Sequence, residues 1–162
     1  MDLPAVSFSG LDPGYCVDDT STILLNGQPA GGSFSGPGIT GSDFIPFDAG
    51  TGSHTITYNY TDNNGCSNSS DNPVDVNALP NVSAGNDVFV CGSDPAQLNA
   101  QGASSYSWSP TTGLSNPNIA DPTVTLSSEE TYVVTGTDAN GCVNIDSVTV
   151  DVGSYPAADF EV

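Results

Sequence analysis

The residues in this chain whose type and spacing indicate covalent chemistry are its four cysteines. Cys16 and Cys66 are 50 residues apart, and Cys91 and Cys142 are 51 residues apart. Four cysteines allow three pairings, and the nearly equal spacings favour Cys16–Cys66 and Cys91–Cys142. Each bond would close a loop of about 50 residues and stabilise the folded segment that contains it by roughly 4 kcal/mol. Zinc is disfavoured because its cysteine ligands cluster at short spacings. Disulfides in turn indicate an exported protein.

The charged residues are all acidic. The 162 residues include 19 Asp and Glu but no Lys or Arg, so the formal charge is −19. Nucleic acid is excluded as a partner because its phosphates need cationic neutralisation, and anionic membrane surfaces are excluded for the same reason. No run of 18 apolar residues is present, so no membrane insertion is expected. Such a chain attracts cations.

Catalytic chemistry has few candidate residues. His54 is the only imidazole, and it lies in one of two similar segments. Lysine and arginine chemistry is impossible, and no phosphate-binding loop ends in the lysine it requires. We therefore predict that the chain is not an enzyme and holds no cofactor, with calcium as the one possible exception.

Carboxylates at the segment ends are the candidate calcium ligands, since Ca²⁺ takes six to eight oxygen ligands. Asp75 and Asp151 end the last strands of their segments just before linker prolines, with Asp87 and Asp12 as neighbours across a junction. The sequence Asp62-Asn63-Asn64-Gly65 lacks the glutamate that closes an EF-hand loop, so it predicts a hairpin turn.

An internal repeat organises the chain. Residues 3–8, 79–84 and 155–160 resemble one another, and residues 61–68 resemble residues 137–144. All of these segments recur at one displacement of about 76 residues, and a fixed period of this kind indicates tandem modules. We expect a first module at 1–77, a second at 78–153, and at 154–162 a linker with the start of a third, so that the chain begins and ends inside a longer protein.

Short strands joined by turns should build each module. Residues 54–61 alternate larger side chains with small polar ones, which is the two-residue period of a half-buried strand. Residues 130–137 and 145–152 are predicted to form equivalent strands in the second segment. Other candidate strands are residues 22–25, 44–47, 88–91, 104–108 and 123–126. With turn signals between them, they predict an all-β fold of two immunoglobulin-like sandwiches.

Aromatic residues could bind a ligand or fill the core. Trp108 is either a platform for stacking sugars or the centre of a sandwich core, and a single Trp in a mid-module strand favours the core. Tyr58 and Tyr60 lie on one face of their strand, where burial is again favoured over binding.

The second module has recognisable short sequences at residues 90–91, 105–110, 113–116, 131–134 and 137–142. Through these residues it resembles the PKD-like, immunoglobulin-like repeats of very large Bacteroidetes surface proteins. The first module resembles a sister type of repeat through residues 31–39, 47–52 and 61–66. In polycystin-type PKD domains the Trp begins a Trp-x-Phe-Gly-Asp-Gly stretch, whereas Ser109-Pro110 follows Trp108 here, so the resemblance is to the bacterial variants.

The resemblance implies export by the type IX secretion system, a place at the cell surface, and a role in adhesion or gliding motility. Asp146-Ser147-Val148 is similar to the O-glycosylation sites of such exported proteins. The leading hypothesis is a stalk whose partners are neighbouring modules, monomeric as an isolated fragment. The alternative is a carbohydrate- or surface-binding accessory module, which a row of exposed aromatic residues would indicate. Self-association through sheet edges is opposed by the uniform negative charge.

Overall fold

The structure, a computed structural model, describes residues 3–154. The predicted start of a third module, apart from residue 154, lies outside the described residues. Two compact units meet between Leu79 and Pro80, and each is called a module below. No helix among residues 3–154 has the length and apolarity to cross a membrane.

The first module contains short strands, two long strands and one helical turn. These are β1 (Ser7–Ser9), β2 (Gly14–Cys16), β3 (Ile23–Leu24), β4 (Asn26–Gln28), β5 (Ser33–Ser35), β6 (Ile39–Thr40), β7 (Asp43–Phe44), α1 (Pro46–Ala49), β8 (Gly52–Thr61) and β9 (Ser67–Asn77). A strand was predicted over residues 44–47, but it ends at Phe44. Pro46 then begins the helical turn, because its fixed φ suits the first helical position.

The second module contains six named strands. These are β10 (Val88–Cys91), β11 (Ala96–Gln97), β12 (Ser105–Ser109), β13 (Thr123–Val124), β14 (Glu130–Thr137) and β15 (Val143–Gly153). The two long strands β9 and β15 have 11 residues each and occupy equivalent places in the repeat.

The same four-stranded sheet occurs in both modules, in the order β2-β9-β8-β5 in the first and β10-β15-β14-β12 in the second. In each sheet the outer strand β2 or β10 runs parallel to the long last strand, while the other pairs are antiparallel. Smaller sheets, β1-β4 and β3-β7-β6 in the first module and β11-β13 in the second, contain the remaining strands. This strand order is that of an immunoglobulin-like sandwich, as predicted.

Each module has its own apolar core. In the first, Ile56 and Tyr58 on β8 are buried while Thr55 and Asn59 beside them are exposed, which is the alternation that the sequence predicted. The buried core residues of the first module are Phe8, Leu25, Phe44, Ile56, Tyr58, Val74 and Val76. Those of the second are Val82, Ala84, Ala96, Leu98, Ala100, Trp108, Val124, Leu126, Tyr132, Val134, Val148 and Val150.

Candidate functional site: the two ends of each module

A hairpin turn marks one end of each module. In the first, the Asp62 carboxylate accepts hydrogen bonds from the backbone N–H groups of Cys66 (2.9 Å) and Asn64 (2.8 Å). Gly65 completes the turn at φ +84°, a conformation that favours glycine. The Cys66 N–H, followed by the bonds from Asn64, holds the pKa of Asp62 below its usual value. These carboxylate oxygens therefore serve the turn, in agreement with the hairpin prediction.

The second module repeats this hairpin. Asp138 accepts from Cys142 (2.9 Å) and Asn140 (2.8 Å), and Gly141 has φ +85°. The turn places Cys142 immediately before β15, as its counterpart places Cys66 immediately before β9.

The same end receives the incoming chain. Asn68 on β9 donates a hydrogen bond from Nδ2 to the Pro4 carbonyl (2.8 Å), and Asn144 on β15 donates likewise to Pro80 (3.0 Å). We call this end, with its hairpin and its asparagine, the entry end. The asparagine contact was not predicted. Its signal was the Cys-x-Asn sequence, which occurs at 66–68 and recurs one repeat later at 142–144.

The opposite end of the sheet holds the other cysteine of each module. Cys16, the last residue of β2, lies opposite Asn77, the last residue of β9. Cys91, the last residue of β10, lies opposite Gly153 at the end of β15. The chain leaves the sheet at Asn77 and Gly153, so we call this end the exit end.

The predicted disulfides within modules are wrong. Cys66 and Cys16 lie at opposite ends of β9, whose 11 residues span roughly 35 Å at about 3.3 Å per residue. A disulfide requires Cα atoms within about 7 Å. In the second module, Cys142 precedes the first residue of β15 and Cys91 lies opposite its last residue, so these two cysteines are equally far apart. In agreement, Cys16 and Cys142 are disulfide-bonded, while Cys91 carries a thiol.

The four predicted calcium ligands lie in two pairs, one pair in each module. In the first, the backbone N–H of Asp75 donates to Pro13, the residue after Asp12 (2.9 Å). In the second, Asp87 precedes β10, whose Phe89 lies opposite Asp151. Within residues 3–154, no group of three or more His, Cys, Asp or Glu side chains is arranged to hold a metal ion.

Two of these aspartates have partners inside their own module. The Asp75 carboxylate accepts a hydrogen bond from the hydroxyl of Ser53. Asp87 accepts one from the backbone N–H of Thr149 (2.8 Å). The calcium site therefore stays a prediction.

The candidate glycosylation site lies on β15. Ser147 is exposed, and the Asp146 carboxylate before it accepts a hydrogen bond from the backbone N–H of Ala84 (2.8 Å). This bond, followed by one from the Ser147 N–H, lowers the pKa of Asp146. Asp146 thus holds the chain at Ala84, before the first strand of the module, while Ser147 stays accessible. Modification of Ser147 remains a prediction.

His54 and Trp108 have structural contacts. The ring Nε2 of His54 lies 2.8 Å from the carbonyl oxygen of Gly50. Trp108 is 1% exposed, and its indole N–H donates to the carbonyl of Ile119 (2.9 Å). The interpretation of Trp108 as a core residue is therefore confirmed, and a stacking platform at this position is excluded.

The tyrosine pair behaves similarly. Tyr58 is buried, and its hydroxyl donates to the Pro29 carbonyl (2.6 Å) and accepts from the Gly32 N–H (2.8 Å). Tyr60 is half-buried against the same core. Among residues 3–154 the exposed aromatic side chains are Phe47 and Phe89, one in each module, which does not form a row.

Comparison with known proteins gives distant structural similarities only. No family model and no curated protein matches the chain. A solved structure described as a Ca²⁺-stabilised adhesin that helps an Antarctic bacterium bind ice is 9% identical, with a TM-score of 0.47; the match covers 95% of this chain and 50% of that one. A 1.5-MDa bacterial ice-binding adhesin is 10% identical, with a TM-score of 0.42 and coverage of 91% and 64%.

A two-domain immunoglobulin structure, DIP-gamma IG1+IG2, is also 10% identical, with a TM-score of 0.41 and coverage of 94% and 99%. This chain thus spans half to two thirds of the length of the two adhesin structures. The immunoglobulin-like class rests on the strand order of the chain itself, because these TM-scores are all below 0.5.

Proposed function

We propose that this chain is a pair of non-catalytic repeat modules in the extracellular stalk of a large bacterial cell-surface adhesin. The protein would be of the type used in attachment or gliding motility and exported by type IX secretion. The stalk holds a distal binding domain away from the cell. The partners of each module are then its neighbours in the same chain.

One observation carries the proposal: in each module the chain enters and leaves at opposite ends of the sheet. Pro4 is held at Asn68, the second residue of β9, and the chain leaves at Asn77. Nine residues of extended strand separate the two points by about 30 Å. Pro80, Asn144 and Gly153 repeat the geometry. A module that passes its chain from end to end adds its own length to a stalk.

Two further properties fit this role. The disulfide-bonded state of Cys16 and Cys142 requires an oxidising compartment, which supports a place outside the cytosol. The charge of −19 keeps the modules soluble and mutually repulsive. The alternative function, carbohydrate binding by the modules, lacks the row of exposed aromatics that it would need.

A replacement experiment in the parent protein tests the proposal. If the modules act as a spacer, exchanging residues 3–153 for two unrelated sandwich domains that also enter and leave at opposite ends should preserve adhesion. Deleting the same residues should weaken it. The matched control is an exchange for two domains whose termini lie side by side, which should behave like the deletion. Loss of adhesion with every replacement would instead assign ligand binding to these modules.

A further inference from the structure

The outer face of the main sheet in the second module carries no charge. It consists of the odd-numbered residues of β12, of β14 and of the segment 143–149 of β15, which the strand register places side by side. All eleven are Ser, Thr, Val or Ile, although residues 80–154 include eight acidic side chains. Asp138 lies in the hairpin beyond one end of this surface, and Asp151 follows Thr149 along β15 at the other. We call this surface the uncharged face.

Three exposed aliphatic side chains form a strip across the uncharged face. Val143 is 43% exposed, Ile145 61% and Val133 37%. Val143 and Ile145 are two residues apart on β15. Val133 on β14 lies opposite Ser147 and is therefore diagonal to Ile145. Residues in these two relations are within about 8 Å of each other, so the three side chains form one continuous apolar strip.

The first module has the same sheet without this strip. One repeat earlier, Thr57, Ser67 and Ser69 stand at the positions of the three aliphatic residues. Asp71 stands at the position of Ser147, and its carboxylate accepts a hydrogen bond from the hydroxyl of Thr57 (2.7 Å). Because the first module forms the same strands with polar side chains at these positions, the fold does not require the aliphatic ones.

We propose that the uncharged face binds the uncharged face of a second copy of this chain. Charge favours this partner, because every copy carries a net charge of −19 and two copies repel each other wherever acidic surfaces meet. Ser and Thr hydroxyls both donate and accept hydrogen bonds, so the face is complementary to itself. With a twofold axis through its centre, the apolar strip of one copy packs on the strip of the other.

The size of the uncharged face makes this contact weak. Outward-facing residues lie about 6.6 Å apart along a strand and about 4.8 Å apart across strands, so each covers about 32 Å². The eleven residues give about 350 Å² per copy, or about 700 Å² in a dimer. Stable complexes bury about 1,200–2,000 Å², and transient ones bury less. If the chain is part of a stalk, as proposed above, neighbouring stalks hold these faces at a high effective concentration.

Salt should strengthen the contact. The repulsion between two acidic copies acts over a Debye length of about 10 Å at 0.1 M salt and about 3 Å at 1 M. Screening does not weaken the contact itself, because the chain has no Lys or Arg and the face forms no ion pair. Added NaCl therefore favours the dimer, whereas the dilute chain at low salt stays monomeric, as its net charge predicts.

Sedimentation equilibrium of the recombinant chain at up to about 1 mM tests the proposal. Thiols are alkylated first so that no disulfide links two copies, and recombinant protein is used because a glycan on Ser147 would cover the face. The dissociation constant should fall about tenfold or more between about 0.05 M and about 0.5 M NaCl. Val133→Thr/Ile145→Ser introduces the residues of the first module and should weaken dimerisation about tenfold or more. A chain that stays monomeric at the highest concentration and salt overturns the proposal.

A matched control removes two exposed apolar side chains from another surface. Leu24→Ser/Phe47→Ser acts in the first module, where these side chains are 60% and 58% exposed, and should leave dimerisation unchanged. If the control weakens dimerisation as much as the substitutions on the uncharged face do, or if those have no effect, the copies meet elsewhere and the proposal is wrong.

A third variant keeps the test decisive should the double substitution on the face destabilise its sheet. Ser147→Asp places the charge of the first module in the middle of the uncharged face and should weaken dimerisation most strongly at low salt. Equal dissociation constants with and without this charge contradict the proposal. Circular dichroism checks that each variant stays folded. Failure of any of these tests leaves the replacement experiment on the stalk unaffected.

Discussion

Removal of the entry-end asparagine from one module should destabilise that module alone. Asn144 makes two hydrogen bonds: Nδ2 donates to Pro80 (3.0 Å), and Oδ1 accepts from the N–H of Ile145 (2.9 Å). Neutral hydrogen bonds contribute about 0.5–1.5 kcal/mol each. Because Asn144 is only half-buried, water can partly replace them. We therefore expect Asn144→Ala to lower the free energy of unfolding by about 1–2 kcal/mol. Each kcal/mol lost should lower the melting temperature of the module by about 4–8 °C.

The single tryptophan allows this effect to be assigned to a module. Trp108 lies in the core of the second module, so its fluorescence during urea unfolding reports that module only. Circular dichroism reports both. The measurement is made in reductant, so that no disulfide contributes to the stability of either module. Asn144→Ala should move the Trp108 midpoint to lower urea at an unchanged slope.

The matched control is Asn68→Ala, which removes the equivalent bond to Pro4 in the first module. It should leave the Trp108 midpoint in place and lower the circular dichroism midpoint of the other transition. If Asn68→Ala moves the Trp108 midpoint as far as Asn144→Ala does, the modules do not unfold independently. A shift below about 0.3 kcal/mol for Asn144→Ala would refute the account of the asparagine contact, since effects of that size are typical of neutral surface changes.

Three other outcomes follow from the acidic and hydroxyl groups. The pKa of Asp146 is lowered by the N–H groups of Ala84 and Ser147, so this carboxylate stabilises the folded module above the unfolded pKa of 3.8, and the effect is lost as pH falls through the lower folded pKa. Acid unfolding followed by Trp108 fluorescence should therefore begin at higher pH in Asp146→Ala than in the unsubstituted protein. Coincident unfolding curves would contradict this. Calcium should raise the melting temperature more than sodium at matched ionic strength, and Asp75→Asn should reduce the difference; equal melting temperatures in the two salts would leave only the solubilising role of the charge. The intact mass of the protein from its natural host should exceed that of recombinant material by the mass of a glycan on Ser147. This mass difference should be absent in Ser147→Ala. An unmodified Ser147 peptide from the host protein would reject the site.

The strand pattern could be predicted from local signals. Residues 130–137 and 88–91 were predicted as strands and are β14 and β10 with the same bounds. Alternation and flanking turn residues define such strands without any knowledge of the partner strand. The predicted strand at residues 44–47 failed because the apolar residues 44–47 also fit a helical turn once Pro46 fixes its backbone.

The contacts at the ends of the modules could not be read in the same way. The bond from Asn144 to Pro80 joins residues 64 positions apart, and nothing in either short segment specifies the other. The sequence relates the two segments only because each of them has a counterpart in the other module, at Pro4 and Asn68. That repetition is compatible with any structure that the two modules share. Repetition shows that two features are equivalent; it does not show what they contact.

The cysteine pairing failed for a related reason, and strand length would have corrected it. Equal spacings of 50 and 51 residues show that the modules are alike, but they do not show that the two cysteines of one module are close together. That depends on the distance between them along the sheet. The predicted strand at residues 145–152 already placed Cys142 about 25 Å or more from the point where the chain leaves the module. The missing step was that β10 runs parallel to β15 and ends beside its last residue, so that Cys91 lies at that far end. Because parallel pairing is a long-range property, the sequence pattern of β10 alone could not supply it.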